Sequence, residues 1–348
     1  MKQTMKELRT EEAVGQVLCH DITEIVKDGV KGARFRNGHV IQNEDVPILL
    51  SLGKEHVFVG EAKAGMLHED EAAEILRTLC QNEGMEAHGP REGKIELCAA
   101  RAGLFVVDKA RVDALNDLED VMLATVPQYF PAQKGQKLAG FRVIPLQVKA
   151  SVIEEAKRIA GTKPLLSLLP YQIRRVGIVA TGSEIYKGRI QDTFTPVVEA
   201  KLRAFGVTEF HKRVSDDSLH MTEDKIQELL DVGCEMILCT GGMSVDPDDR
   251  TPAAIRAVAD KVISYGAPVL PGAMFMLAYH KTIPLLGLPG CVMHDATTIF
   301  DIMLPRLLAK QTVTRKDIRS LGVGGLCLGC KVCHYPICFF GKGEGSSC

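Results

Sequence analysis

The chain has 348 residues, 46% of them hydrophobic and 25% charged, which excludes a disordered or collagen-like polypeptide and allows two or three domains with a substantial core. Its 42 basic and 44 acidic residues give a formal charge of −2, so nucleic acid or an anionic membrane would not be held by bulk charge, and any anionic partner must be gripped locally. No apolar run reaches the length of a membrane helix, and the N-terminus leads into charged residues rather than a signal-peptide core, so a soluble cytoplasmic protein is expected.

Residues 1–62 alternate short apolar stretches with turn residues: Val17-Leu18-Cys19, Asp28-Gly29, Arg36-Asn37-Gly38 and His56-Val57-Phe58-Val59. A short helical run opens at Glu44-Asp45 and stops at Gly53, giving a strand-rich module with one helix. Residues 63–170 read as an α+β region. A helix spans about His68 to Cys80, strands cover Leu104–Val107 and Phe141–Val148, and Ser151 with Glu154 forms a capping-box pattern for a helix that ends at Gly161. Pro164 to Gln172 reads as an extended linker.

From 171 to 312 the pattern changes. Arg175–Ala180 is a continuous apolar run of the kind buried on both faces of a parallel sheet. Strands at Val207–Val214, Glu235–Cys239 and Thr282–Gly287 then alternate with helices at Thr195–Phe205, Thr222–Val232, Thr251–Val258 and Val292–Leu308. This alternation predicts a three-layer α/β/α domain with a mostly parallel sheet and a crevice beyond the carboxyl ends of its strands. The smaller strand-rich and α+β region precedes it, and a Cys-rich tail over 313–348 follows.

Each strand of that domain hands over to a loop rich in glycine, hydroxyls and carboxylates. These are Thr181-Gly182-Ser183-Glu184 with the later Asp192, then Ser215-Asp216-Asp217-Ser218, then Thr240-Gly241-Gly242-Met243-Ser244 running to Asp248-Asp249-Arg250-Thr251-Pro252, and finally Leu288-Pro289-Gly290. Loops at one edge of a parallel sheet converge, so these segments wall one pocket. Gly241-Gly242 and Pro289-Gly290 would let backbone N–H groups approach an anion, and Thr251 would cap a helix whose first residue is Pro252. Asp216, Asp217, Asp248 and Asp249 suit Mg²⁺ held between phosphates, and Glu184 suits the amino groups of a heterocycle. Turn and cap use of the same residue types is the competing reading.

Taken together and in this order, the motifs from Val176 to Leu308 resemble the molybdopterin-binding domain shared by the gephyrin, MogA and MoeA families. One class of that family adenylylates molybdopterin with ATP and Mg²⁺, and another uses the adenylylated pterin to insert molybdate. The resemblance implies molybdopterin, with ATP, as ligand. Thr181, Gly182, Ser183, Thr240, Gly241, Gly242, Ser244, Asp248, Pro289 and Gly290 would cradle the pterin and its phosphate, and Glu184 and Asp192 would shape the pocket. Asp216, Asp217 and Asp249 would support catalysis through Mg²⁺ or the transferred group. It further implies a molybdoenzyme client or another cofactor-assembly protein as partner, and a homo-oligomer. The chain departs from the insertase pattern at Leu270-Pro271-Gly272-Ala273 and at Pro252, where lysines are usual, and from the adenylyltransferase pattern at Met243-Ser244. A non-catalytic cofactor chaperone or sensor, and a nucleotide-hydrolysing relative of the same fold, are the alternative readings.

Of eleven cysteines, Cys327, Cys330, Cys333, Cys338 and Cys348 fall in the last 22 residues, beside His334. The spacing Cys327-x-x-Cys330-x-x-Cys333 with Cys338 suits an Fe–S cluster or a structural Zn²⁺ site equally, so a metal-bearing tail is expected. The six scattered upstream cysteines read as buried small hydrophobes. The histidines outside the tail form no pair at ligand spacing, so surface or satisfied core roles are expected, and His294, just after the Pro289-Gly290 turn, is the one to test.

Overall fold

A computed structural model of the chain describes residues 5–25, 31–60 and 63–343. The Asp28-Gly29 turn and Cys348 therefore lie outside the described residues. Two compact units emerge, the first from residues 1–100, 107–126 and 134–167, the second from 101–106, 127–133 and 168–348.

In the first unit the segment before residue 60 has its own small core of Leu18, Ile22, Ile41, Leu49, Val57 and Val59, all at most 1% exposed. Strand Lys6–Arg9 pairs antiparallel with His56–Val59, and helix Asp45–Ser51 covers them. Beyond it stands a four-stranded antiparallel sheet in the order Met85–Arg91, Lys94–Ala99, Lys137–Val143, Val121–Thr125. Helix Glu69–Cys80 starts where the His68 side chain and Glu71 satisfy each other's backbone N–H groups. Helix Ala150–Ala160 lacks the expected Ser151 cap; Lys149 precedes it with no side-chain cap, and Gly161 at φ 59° ends it.

The second unit is built on a six-stranded sheet. Its strands are β1 (Arg175–Thr181), β2 (Glu209–Ser215), β3 (Met236–Thr240), β4 (Lys261–Tyr265), β5 (Met276–His280) and β6 (Ile283–Leu288), in the order β2-β1-β3-β6-β5-β4. Strands β2, β1, β3 and β6 are mutually parallel, and β5 runs antiparallel to both its neighbours. The antiparallel β4–β5 pair has no counterpart among the strands expected from the sequence.

Alternate residues of the buried strands serve opposite faces. Val176, Ile178, Met236 and Leu238 pack in one core with Val198 and Leu202 of helix α2 (Phe194–Arg203) and with Phe300, Met303 and Leu307 of helix α6 (Ile299–Leu308). Val179, Ile237 and Cys239 pack in the other with Ile226 and Leu229 of α3 (Leu219–Asp231) and Ala254 and Ile255 of α4 (Thr251–Val258). That two-faced burial is the expected three-layer α/β/α arrangement. The short helices α1 (Ser183–Tyr186) and α5 (Cys291–His294) follow β1 and β6.

Two expectations fail here. The single helix expected over Val292–Leu308 breaks at Asp295–Thr298: Ala296 is exposed, and Thr298 with Asp301 forms a capping box that restarts the chain as α6. The expected linker at 164–172 contains strand Leu166–Leu169 and buries Leu165, Leu166, Leu168 and Tyr171, because its apolar residues fill a core instead of spanning between cores. The second unit also recruits upstream chain. Gly103–Val107 pairs antiparallel with Phe130–Ala132, and Leu104 sits fully buried in the same core as α2 and α6.

Candidate functional site

Strand register brings the carboxyl ends of β2, β1, β3 and β6 into one row: Thr181 pairs with Ser215, Ala180 with Thr240, and Thr240 with Leu288. The chain leaves β1 toward β2 on one side and leaves β3 toward the β4 edge on the other, so the crevice between Thr181 and Thr240 is the topological switch point of the sheet. A buried hydroxyl network closes its floor. Thr181 Oγ1 donates to the Thr240 carbonyl at 2.8 Å and lies 3.2 Å from Thr251 Oγ1, while the Thr251 N–H donates to the Gly242 carbonyl at 3.2 Å. Thr251 is thus the first residue of α4 and not its cap; Arg250 precedes it without a side-chain cap.

The double glycine is required by this network. A Cβ on Gly241 (φ 86°) would lie 2.4 Å from the Thr181 carbonyl oxygen, and one on Gly242 (φ 57°) 2.7 Å from Thr251 Oγ1. On the side where a Cβ would stand, both glycines lie against the protein itself, so the tight turn alone accounts for them. Gly290 is the opposite case: it is exposed, and a Cβ built there meets nothing within 4 Å.

The carboxylates are occupied by backbone donors in separate turns. Asp217 Oδ2 accepts from the Ser183 N–H at 2.9 Å, which together with the Gly182 N–H to Ser215 carbonyl bond at 3.1 Å ties the β1 and β2 loops. Asp216 Oδ1 accepts from the Ser218 N–H at 2.8 Å, and the hydrogen bonds of Ser218 hold this carboxyl below the ordinary aspartate range. Asp249 Oδ2 accepts from the Asp246 N–H at 3.3 Å, and Asp192 Oδ1 from the N–H groups of Phe194 and Thr195 at 2.9 and 3.0 Å at the start of α2. Glu184, Ser244 and Asp248 are exposed, Pro289 is buried, and His294 is exposed at the end of α5. Among the described residues no three His, Cys, Asp or Glu side chains are grouped to hold a metal ion. The expected Mg²⁺ set of Asp216, Asp217, Asp248 and Asp249 thus forms no such group; Asp216, Asp217 and Asp249 each accept a backbone N–H instead.

The sequence reading missed two residues that shape the β3 loop. Met243 is 4% exposed and fills the space above Gly287, where a Cβ would lie 2.4 Å from its Cε and Sδ. The Tyr265 hydroxyl donates to the carbonyls of Met243 and Ser244 at 3.1 and 3.3 Å. Met243, a departure from the family pattern, is thus a core plug, legible only once β4 is known to supply Tyr265. A groove of about 600 Å³ borders the β1 and β2 loops, lined by Tyr186, Lys212, Arg213, Met221 and Lys225 among others.

The four tail cysteines do not converge either. Cys327 and Cys338 are half-buried against the core of the second unit, Cys330 and Cys333 are exposed, and Cys333 Sγ lies 3.1 Å from Thr297 Oγ1. The tail is held by carbon packing and close backbone contact. Phe340 is 2% exposed, the Tyr335 hydroxyl donates to the Asp301 carbonyl at 3.1 Å, and a Cβ on Gly341 would lie 2.6 Å from Ile302. Among the described residues these cysteines form no group that could hold the Fe–S cluster or Zn²⁺ ion that their spacing suggested. The scattered Cys80 and Cys239 are buried, as expected, and burial pushes both thiols up to about 12, so they stay protonated.

No helix among the described residues is long and apolar enough to cross a membrane. Residues 7–61 match a domain of unknown function. Residues 177–309 match the family described as probable molybdopterin binding domain. The chain is similar to the molybdenum cofactor synthesis protein cinnamon of Drosophila melanogaster, 26% identical over 170 residues covering 47% of this chain and 26% of the relative. It is 32% identical over 95 residues to a CinA-like protein of Mycobacterium avium, covering 27% of this chain and 22% of the relative. It is 25% identical over 152 residues to a molybdopterin molybdenumtransferase of Staphylococcus epidermidis, covering 42% of this chain and 35% of the relative. The chain thus spans between 22% and 35% of the length of these relatives. The three-layer second unit thus holds, at residues 177–309, a segment that matches the probable molybdopterin binding domain family, with its strand-end loops around the switch point of the sheet.

Proposed function

We propose that the second unit binds molybdopterin at the switch-point crevice and acts in molybdenum-cofactor assembly, maturation or delivery. The observation that carries this reading is the family match over 177–309, whose motif loops lie in one row at the strand ends. The crevice suits a ligand of this kind: Gly290 leaves open space on the β6 side, and the Thr181–Thr240–Thr251 floor is already hydrogen-bonded, so a ligand would not have to break it. In this reading Gly290, Ser244 and the Gly182-Ser183 turn cradle the pterin and its phosphate, and exposed Glu184 and Asp248 face its amino groups.

Whether the pocket also catalyses adenylyl or molybdenum transfer is a finer proposal. It requires Asp216, Asp217 and Asp249 to turn the lone pairs that their backbone N–H partners leave free toward Mg²⁺ when ATP binds. The committed state of these carboxylates favours the alternative of a binding protein or cofactor chaperone without turnover. Anaerobic incubation with molybdopterin, ATP and Mg²⁺ tests both levels. Retention of pterin through gel filtration without AMP-pterin product is the expected result, formation of adenylylated pterin would establish the transferase, and absence of retention would overturn the proposal as a whole.

A further inference from the structure

Helix α6 carries a charge into the core of the second unit. Arg306 is 4% exposed, a rare state for an arginine. Its guanidinium lies 3.9 Å from the centre of the Tyr129 ring, and one terminal nitrogen donates to Asp317 Oδ1 at 2.9 Å. Its Nε is buried and has no hydrogen-bond partner among the described residues. A buried donor on a cation is costly to leave unmet, so this atom marks either a defect or a site.

A second cation reaches the same place from the tail. Lys342 Nζ donates to the Pro336 carbonyl and stands 5.7 Å from the centre of the Phe130 ring. Between the two cations lies a cavity of about 40 Å³, walled by Tyr129, Phe130, Met303, Arg306, Tyr335 and Lys342 among others, with no carboxylate in its lining. Asp317 balances Arg306 from outside that lining, and among the described residues no carboxylate pairs with Lys342. Burial accordingly lowers the Lys342 pKa, with Cys338 acting in the opposite sense.

The cavity exceeds the roughly 10–15 Å³ that one water needs and falls far below the roughly 300 Å³ of a pocket for a pterin or nucleotide. Its contents are therefore limited to something small, and its walls select negative charge. We propose that this cavity binds one small tetrahedral oxyanion, of the phosphate, sulfate or molybdate class, between Arg306 and Lys342, and that the anion fastens the tail to α6. The tail is placed to serve as the fourth wall: Gly341 lies against Ile302 where no Cβ would fit, and Tyr335 is bonded to the α6 backbone. The proposal does not depend on pterin binding in the switch-point crevice.

The test compares thermal unfolding and limited proteolysis of the full chain in sodium phosphate, sulfate or molybdate with sodium chloride at equal ionic strength. At least one oxyanion is expected to raise the unfolding midpoint by several degrees and to slow tail cleavage several-fold. Lys342→Met keeps the apolar stem and removes the ammonium, so it should fold in chloride with a midpoint near that of the wild type and lose the oxyanion shift. Gly290→Ala, in the crevice, should retain that shift, which separates the two sites. Equal midpoints in all salts, or an oxyanion shift undiminished in Lys342→Met, would overturn the proposal.

Discussion

Removing the Thr181 hydroxyl leaves the Thr240 carbonyl and the Thr251 hydroxyl buried without it, in a floor where little water can substitute. Thr181→Val is nearly isosteric, and its expected cost is about 1–3 kcal/mol in denaturant unfolding. The neighbouring glycines separate packing from ligand effects. Gly241→Ala forces a Cβ to 2.4 Å from a backbone oxygen at a φ of 86°, and should destabilise the second unit whether or not ligand is present. A Cβ at Gly290 meets no protein atom within 4 Å, so Gly290→Val should melt close to the wild type while pterin retention falls at least tenfold; unchanged retention would place the ligand elsewhere. In the first unit Glu96 pairs with Lys94 at 2.6 Å and Lys137 at 2.8 Å, which brings its carboxyl from the usual 4.5 down to about 2. A depressed folded-state pKa stabilises above the unfolded value and loses that contribution as pH falls through the folded one. The stability advantage of wild type over Glu96→Gln should therefore be full above pH 4.5 and disappear between there and about pH 2, as read from melting curves across that range.

At the scale of elements, the alternation of buried β1 and amphipathic α2, α3 and α4 was legible because period-2 and period-3.6 burial survive in the sequence as apolar spacing. The break before α6 was not, since Val292, Ile299, Met303 and Leu307 continue a helical stripe straight across it. Only the pairing of Thr298 with Asp301 reveals the restart, and Thr298→Ala should cost about 1 kcal/mol by removing that cap, measurable as a lowered midpoint. The candidate site was legible as a set of loops but not as a set of roles. Nothing in a run such as Ser215-Asp216-Asp217-Ser218 distinguishes a metal ligand from an acceptor for backbone N–H groups, and both residues do accept such groups, from Ser218 and Ser183. The tail shows the same limit, as thiol spacing does not encode direction. Because Cys330 and Cys333 are exposed and a serine hydroxyl can keep the Thr297 contact of Cys333, the double Cys330→Ser, Cys333→Ser variant should melt as the wild type does. A drop of several degrees would restore a metal or disulfide role for them.

At the scale of the molecule, the second unit does not begin where its sequence grammar begins. Leu104 is fully buried in its core, and its residue set includes 101–106 and 127–133. Leu104→Ala should lower the stability of the second unit by about 2–5 kcal/mol, the range for an unfilled leucine site. A fragment starting at residue 171, which also lacks Phe130–Ala132 and Leu166–Leu169, should fail to reproduce the unfolding transition of that unit in the full chain. An identical transition would show that the recruited strands are dispensable. This recruitment was hidden from the sequence because Gly103–Val107 is an ordinary apolar strand, and nothing local states which core it joins.

The same threading dictates an order of events on the ribosome. Segments 101–106 and 127–133 leave the exit tunnel long before α6, against whose core Leu104 packs, has been made. At roughly 5–20 residues per second, tens of seconds separate the birth of Leu104, Phe105 and Phe130 from that of the helix that completes their core. During that interval the nascent chain presents an apolar strand pair without a completed core, and holding it apart from other chains falls to chaperones.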